Sequence, residues 1–334
     1  MKLRLLEYII CPNHPDEYLQ LREGHIAKLF DYAREVQSPL CRNYCGLAQG
    51  RFEKIPTEIM PDCRSCMSLD VEWGILQCPV CGGFYSLYEG IPVLTNFFPA
   101  NTDLAADMLA AEYHFGKSKL TEYKRSGPFA EWAGRSEAKT IAQKLDLDSI
   151  DSVLYLGSAS PGIIDLFGDR EVETVIACED PDELIKINQK ELLNPSRLTF
   201  TAVSGPSPNA FRRNSFDLVI TSHRLYGTPG FGPPLLNNLI RACSKSGTIA
   251  LLLYRNNLTK RVLHLCEGRC SGKNESIHKI DEFLGGLLSG APQMEMERYS
   301  STLVELVTLR AKALPPEDVR TPLPGDAAEA MINA

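Results

Sequence analysis

The stretch VLYLGSASPG, residues Val153–Gly162, decides how the second part of this chain folds. Its first four residues are apolar, which is typical of a buried strand. The strand breaks at Gly157 into small residues, and a helix is predicted from Pro161. Small residues let a ligand approach the backbone closely, and the free N–H groups of a helix N-terminus favour a carboxylate or a phosphate. We therefore expect a strand, a ligand-binding turn and a helix.

The residues that follow repeat this alternation, which predicts a parallel α/β sheet. Seven strands are predicted, at Val153–Gly157, Thr174–Glu179, Leu198–Val203, Phe216–Ser222, Thr248–Tyr254, Met294–Ser300 and Val304–Ala311. Helices are predicted at Pro161–Phe167, Pro181–Leu193, Pro234–Ser244, Leu258–Cys266 and Ile277–Leu288.

Two acids end the second predicted strand. Glu179 and Asp180 come about 20 residues after the first turn, and an acid at that place accepts hydrogen bonds from ribose hydroxyls in nucleotide-binding sheets. Asp180 also precedes Pro181, which is typical of a helix N-cap. The pattern therefore favours Glu179 as the ribose ligand.

Several passages resemble class I S-adenosylmethionine (SAM)-dependent methyltransferases. Ser215–Ser222 looks like the fourth strand of that family, and Lys245–Leu251 looks like the passage into its fifth strand. Met294–Ser300 and Val304–Ala311 resemble the closing antiparallel pair that distinguishes the family from dinucleotide dehydrogenases. The first turn is especially similar to that of fibrillarin, an RNA methyltransferase. The resemblance covers residues 150–312 and implies a Rossmann-like seven-stranded sheet and SAM-dependent methyl transfer.

The resemblance also implies a cofactor site, with departures that include two in the first strand and its turn. Tyr155 replaces the usual acid of the first strand, and the turn lacks the full Gly-x-Gly-x-Gly pattern. These departures leave open a second function, that of a catalytically degenerate, zinc-containing binding or scaffold protein. The implied SAM-binding residues are Gly157, Ser158, Ala159, Gly162, Glu179, Asp180, Ser204 and Ser222.

Three residues at the predicted strand ends are candidates for contact with the substrate. His223 follows the fourth strand and is the candidate base, with a surface histidine as the alternative. Arg224 and Arg255 leave the fourth and fifth strands, where guanidinium groups bind carboxylates or phosphates, although they also suit helix C-terminal carbonyls. Residues 205–270 carry nine Lys and Arg against two acids, in a chain whose net charge is −7. We expect an anionic small molecule or a protein as substrate, with RNA a further possibility.

The first 81 residues hold seven of the eleven cysteines, and six of these seven stand in close pairs. Close pairs in a reducing compartment indicate metal ligands before disulfides. Two tetrahedral zinc sites are predicted from eight ligands. These ligands are Cys11, His14, Cys41, Cys45, Cys63, Cys66, Cys78 and Cys81.

The ends of this region resemble the small zinc-binding activator subunit of tRNA and release-factor methyltransferases. The resemblance lies in Leu5–Pro12 and Phe84–Leu94. It implies that Cys11, His14, Cys78 and Cys81 share one zinc ion, and that the other four cysteines share the second. Sequential pairing, with residues 11, 14, 41 and 45 in one site and 63, 66, 78 and 81 in the other, is the alternative.

The predicted organisation has four parts. Residues 1–98 form a zinc-binding domain with one helix near Gly24–Val36, 99–150 a helical linker or lid, 151–313 the methyltransferase-like domain, and 314–334 a disordered tail. Hydrophobic residues make up 44% and charged residues 23% of the chain, which is typical of globular proteins. No membrane span or signal peptide is predicted, so a cytoplasmic location is expected.

Overall fold

The computed structural model describes residues 1–28, 39–56, 62–98, 128–157, 159–168, 170–178, 184, 198–203, 208–222, 233–254, 284–285, 288, 294–300 and 304–311. The N-terminal strands are β1 (Ile10–Cys11), β2 (His14–Tyr18), β3 (Gln20–Lys28), β4 (Tyr44–Cys45), β5 (Gly50–Arg51), β6 (Leu69–Gln77), β7 (Phe84–Tyr88) and β8 (Ile91–Phe98). The later strands are β9 (Ser152–Leu156), β10 (Glu173–Cys178), β11 (Leu198–Ala202), β12 (Phe216–Thr221), β13 (Cys243–Tyr254), β14 (Met294–Ser300) and β15 (Val304–Ala311). The α-helices are α1 (Cys63–Ser68), α2 (Pro128–Lys144), α3 (Pro161–Gly168) and α4 (Pro233–Ala242). Short 3-10 helices span Leu3–Glu7, Phe52–Lys54, Leu147–Ser149 and Pro208–Ala210.

Eleven strands form one mixed sheet in the order β14-β15-β13-β12-β9-β10-β11-β8-β7-β6-β3. Strands β9 to β13 pair in parallel, whereas β15 lies antiparallel between β13 and β14. Counted along the chain from β9, this part of the sheet has the order 3-2-1-4-5-7-6. All seven predicted strands therefore occur, but the sheet is not limited to seven, because four N-terminal strands continue it.

The sheet is continuous across the junction between β8 and β11. These strands run parallel with Val93 opposite Ala202, and the hydroxyl of Thr201 donates a hydrogen bond of 3.1 Å to the carbonyl of Pro92. Beyond β8 the strands are antiparallel. The predicted zinc-binding region therefore adds its strands to the edge of the parallel sheet.

The helix predicted near Gly24–Val36 is wrong for its first residues, and the remainder lies outside the described ranges. Residues through Lys28 belong to β3, which pairs with β6 so that Gly24 lies opposite Gly74. A Cβ atom on Gly74 would come within 2.4 Å of a carbonyl oxygen of β3, so the two strands meet where side chains are absent. Glycine is also unfavourable inside a helix by about 1 kcal/mol.

The two faces of the sheet have different coverings. On one face, apolar residues of α2 and α3, such as Ile141 and Phe167, pack against alternate residues of β9, β10 and β12. On the other face lie α4 and the N-terminal 3-10 helix, and the ring of Tyr8 stacks on Phe216 with centroids 5.1 Å apart. The sheet core thus extends into the N-terminal region.

Two predicted boundaries shift in the structure. Strand β13 begins at Cys243 rather than Thr248, and the predicted helix before it ends at Ala242. A Cβ atom on Gly247 would lie 2.8 Å from the carbonyl oxygen of Asp217, so glycine permits the close pairing of β13 with β12. Within the described ranges, no helix is long and apolar enough to cross a membrane.

Candidate metal centre and cofactor site

Four predicted metal ligands from two separate segments of the N-terminal region lie close together. Cys11 and His14 are paired across the β1–β2 hairpin, while Cys78 and Cys81 lie in the turn after β6. Their ligand atoms all lie within 4.8 Å of one another. This is the grouping implied by the resemblance to the activator subunit, and it differs from the sequential grouping.

The spacing of these atoms suits a tetrahedral zinc ion. The Sγ atoms of Cys11 and Cys81 are 3.9 Å apart, and His14 Nδ1 lies 3.6 Å from the Cys11 sulfur and 3.7 Å from the Cys78 sulfur. Zn–S bonds of about 2.3 Å in a tetrahedron place two sulfur atoms about 3.8 Å apart. The four residues therefore fit a Cys₃His site.

The turn that carries Cys78 and Cys81 is held by a backbone hydrogen bond. The N–H of Gly82 donates to the carbonyl of Cys78 over 3.0 Å, and Gly82 adopts a positive φ of 66°. Glycine has no Cβ that would strain this conformation. The Tyr85 hydroxyl lies 3.6 Å from the Cys11 sulfur, and burial together with this contact raises the pKa of Tyr85. Cys11 and Cys78 are fully buried, so solvent reaches the group only near the other two ligands.

The other four predicted ligands line a small cavity elsewhere in the N-terminal region. Cys41, Cys45, Cys63 and Cys66 are all buried and line it together with Arg4, Leu40 and Met67. Backbone N–H groups of Leu40 and Ala48 approach the sulfurs of Cys63 and Cys45, each at 3.5 Å. A hydrogen bond between the thiols of Cys41 and Cys45 lowers the pKa of Cys45 to about 6, although burial opposes this shift. In the described part of the chain, only the first group has all its ligand atoms within 4.8 Å.

Arg4 connects the second cysteine group to the large sheet. Its Nη1 atom lies 3.9 Å from the Cys41 sulfur, and its Nε atom lies 2.7 Å from a carboxylate oxygen of Glu173, the first residue of β10. The Arg4–Glu173 contact is an ion pair without the alignment of a hydrogen bond. Burial opposes the charged guanidinium, but Glu173, Tyr8 and Glu7 outweigh it and raise the pKa of Arg4.

The predicted cofactor turn follows β9, an interior strand of the sheet, at the carboxyl end of the parallel strands. Gly157, Ala159, Gly162 and Ser222 are all described, and all four are buried. The Ser222 N–H donates to the carbonyl of Leu156 over 2.8 Å, which brings the ends of β12 and β9 together. The structure thus gathers these four predicted residues at one place.

The turn offers a hydroxyl group that suits an anionic part of a ligand. Ser160 precedes α3, its side chain is buried, and its Oγ has no hydrogen-bond partner. It stands at the N-terminal end of an eight-residue helix, which carries partial positive charge, although Pro161 has no N–H and the N–H groups of Ile163 and Ile164 donate to the Ser160 carbonyl. A buried, unsatisfied hydroxyl costs free energy unless a partner arrives. A hydroxyl of this kind donates well to a carboxylate, and Gly134 of α2 lies directly over it.

Helix α2 covers the turn with residues that the sequence analysis did not single out. A Cβ atom on Gly134 would lie 2.2 Å from Ser160 Oγ, and one on Gly162 would lie 2.8 Å from the Cα atom of Arg135. Glu137 of the same helix is buried and accepts hydrogen bonds from Tyr155 and Ser222. No sequence motif marks Glu137, because it belongs to an ordinary polar helical pattern far from the turn along the chain.

The remaining predicted site residues lie outside the described ranges. They are Ser158, Glu179, Asp180, Ser204, His223, Arg224 and Arg255. The ribose contact, the base and the substrate contacts therefore stay predictions.

No protein-family model and no curated protein sequence matches the chain. Solved structures do match, at low identity. The C-methyltransferase domain of the citrinin polyketide synthase is 13% identical with a TM-score of 0.41, over 54% of this chain and 52% of that one. Phosphoethanolamine N-methyltransferase 2 of Haemonchus contortus, solved with SAM, is 10% identical with a TM-score of 0.41, over 65% and 62%. The CurJ carbon methyltransferase is 14% identical with a TM-score of 0.43, over 64% of each chain. This chain thus spans less than two thirds of the length of the proteins it resembles here.

Proposed function

We propose that this protein is a SAM-dependent methyltransferase with a zinc-binding region fused to its N-terminus. The observation that carries the proposal is the strand order 3-2-1-4-5-7-6, with β15 antiparallel, together with a buried turn at the end of the first of these strands. Open α/β sheets bind ligands at the carboxyl ends of their strands. The unsatisfied hydroxyl of Ser160 at that edge supports a ligand with a carboxylate.

The chain's own residues take the following proposed roles. Gly157, Ser158, Ala159 and Gly162 hold the methionine part of the cofactor, and Ser204 and Ser222 border it. Glu179, with Asp180 beside it, binds the ribose hydroxyls. When bound, SAM supplies an electrophilic methyl group on a sulfonium. His223 accepts the proton of a substrate whose nucleophile is not already ionised.

We further propose that the substrate is anionic and is bound by Arg224 and Arg255. Both follow strands whose carboxyl ends face the proposed site, and both lie in the basic stretch of an acidic chain. Replacing either arginine by alanine should reduce turnover while SAM affinity stays nearly constant. Full activity of both alanine variants at subsaturating substrate would remove these residues from the site.

The zinc-binding region is proposed to hold two ions. Cys11, His14, Cys78 and Cys81 suit the first ion by their spacing. The second would bind among Cys41, Cys45, Cys63 and Cys66, which are buried around one cavity. Freshly purified protein should contain about two zinc ions per chain, measured by elemental analysis. One equivalent would limit the proposal to the first site, and none would end it.

Calorimetric titration with SAM and with S-adenosylhomocysteine (SAH) tests the proposed activity at its first step. Wild-type protein should bind both, and Gly157→Arg should bind neither, because a Cβ atom at Gly157 already meets the side chain of Ser222 at 2.4 Å. Gly168→Arg is the matched control, since its nearest neighbouring atom is 3.7 Å away. If the wild type binds neither ligand, the chain is a degenerate scaffold; if Gly157→Arg binds normally, the site is elsewhere.

A further inference from the structure

Helix α2 brings a buried acid to the ends of two sheet strands. Glu137 is only 3% exposed. One of its carboxylate oxygens accepts a hydrogen bond of 3.2 Å from the Tyr155 hydroxyl, and the other accepts one of 3.2 Å from the Ser222 hydroxyl. Burial disfavours the ionised form of a carboxylate, whereas hydrogen bonds from two donors favour it.

The two donors border the proposed cofactor turn on both sides. Tyr155 lies two residues before Gly157 on β9, and Ser222 directly follows β12. A Cβ atom on Gly157 would lie 2.4 Å from Ser222 Cβ and 3.2 Å from the Tyr155 hydroxyl. Glu137 is therefore one hydrogen bond away from side chains that touch the turn itself.

The same helix contacts the other end of the turn. One helical turn before Glu137, Gly134 lies so close to Ser160 that a Cβ atom would come within 2.4 Å of the serine Cβ. Both of these contacts depend on the position of α2. The helix thus fixes the strand ends through Glu137 and the start of α3 through Gly134.

We propose that Glu137 is a positioning residue of the cofactor site, which holds the ends of β9 and β12 together and supplies a negative charge beside the turn. The first strand has Tyr155 where the resembling family has an acid, and the acid here comes instead from α2. A fixed negative charge favours the sulfonium of SAM over the neutral thioether of SAH. The proposal rests on the proposed function, since it concerns preference between these two ligands.

The test compares SAM and SAH affinities of wild-type protein and Glu137→Gln by calorimetry. Glutamine keeps the shape but removes the charge, so we expect the preference for SAM over SAH to fall roughly threefold to tenfold. Asp165→Asn removes an exposed charge from the neighbouring α3 and should leave the preference unchanged. A purely structural defect would weaken both ligands equally and leave their ratio as in the wild type.

Tyr155→Phe tests the positioning part of the proposal separately, and it does so even if Glu137→Gln does not fold. This variant keeps the charge and loses one hydrogen bond to it, so both affinities should fall by a similar factor. Unchanged binding of both ligands to Tyr155→Phe, or an unchanged ratio in folded Glu137→Gln, would overturn the inference. Wild-type protein that binds neither SAM nor SAH would overturn the proposed function, which is a separate outcome.

Discussion

Replacing Arg4 by methionine should destabilise the whole protein, because it leaves the buried carboxylate of Glu173 without its cation. The two side chains are 10% and 4% exposed, and the Arg4 Nε lies 2.7 Å from a Glu173 oxygen. Arg4 belongs to the N-terminal 3-10 helix and Glu173 begins β10, so the pair joins the cysteine-rich N-terminal region to the parallel strands.

The magnitude follows from opposing terms. Two unit charges at 2.7 Å attract by about 6 kcal/mol at an effective dielectric constant of about 20. The free-energy cost of removing both charges from water offsets much of this attraction, so the ion pair itself contributes little net stability. Removing only one partner is different, because the other charge stays buried. The free energy of unfolding of Arg4→Met should therefore fall by about 3–5 kcal/mol.

Urea denaturation measures this loss, followed by circular dichroism and by tryptophan fluorescence. The chain has two tryptophans, and Trp73 in β6 and Trp132 in α2 report on its two parts. The double variant Arg4→Met with Glu173→Gln should recover much of the lost stability, since the Glu173 charge is removed and Glu7, which also faces Arg4, keeps its two backbone N–H donors. The reasoning is refuted if Arg4→Met loses less than about 1 kcal/mol, the scale of an exposed pair, or if the double variant is as unstable as the sum of the single ones.

Three further outcomes follow from packing, ligation and ionisation. Gly134→Ala should lower the free energy of unfolding by about 1–3 kcal/mol in thermal denaturation, because its Cβ would meet Ser160. Gly168→Ala is the control and should keep the stability of the wild type. Equal melting temperatures of Gly134→Ala and wild type would contradict this packing. Cys78→Ser should lose about one equivalent of zinc in a chromogenic chelator assay, and full retention would remove Cys78 from the first site. Burial raises the pKa of Cys243 from 9.0 to about 12. Between these values the unfolded state loses a proton that the folded state keeps, so stability should fall as pH rises above 9.0, more steeply in wild type than in Cys243→Ala. Parallel urea midpoints of the two proteins across that range would count against this assignment.

The sequence predicts the parallel sheet well because its strands are short, apolar and separated by helical runs. The bounds of the strands from β9 to β15 fall within one residue of their predicted positions, except that β13 begins at Cys243 instead of Thr248. The ligands of the first metal group are also within reach of the sequence, because Cys and His residues in close pairs carry a spacing signal. That these four residues share one ion is implied by the resemblance to the activator subunit and not by the spacing. Where the prediction fails, at β3, an apparent helical pattern is overridden by pairing with β6.

The features that the sequence does not predict depend on contacts between residues that are far apart along the chain. The pairing of β8 with β11 joins residues more than one hundred positions apart, and neither strand carries a mark of its partner. Glu137 is in the same situation, because its importance depends on two hydroxyls that only the folded sheet brings near. Arg4 likewise looks like one more surface arginine until its burial against Glu173 is known.

The strand pairing between β8 and β11 also changes how the two parts depend on protein concentration. The activator that the N-terminal region resembles is a separate subunit, and separate subunits dissociate on dilution. Here both strands belong to one polypeptide, so they meet at an effective concentration on the order of millimolar, whatever the abundance of the protein in the cell. Because both parts come from one translation product, they are also always present in a one-to-one ratio. If the proposed methyltransferase activity holds, its specific value should therefore stay constant on dilution to nanomolar concentration.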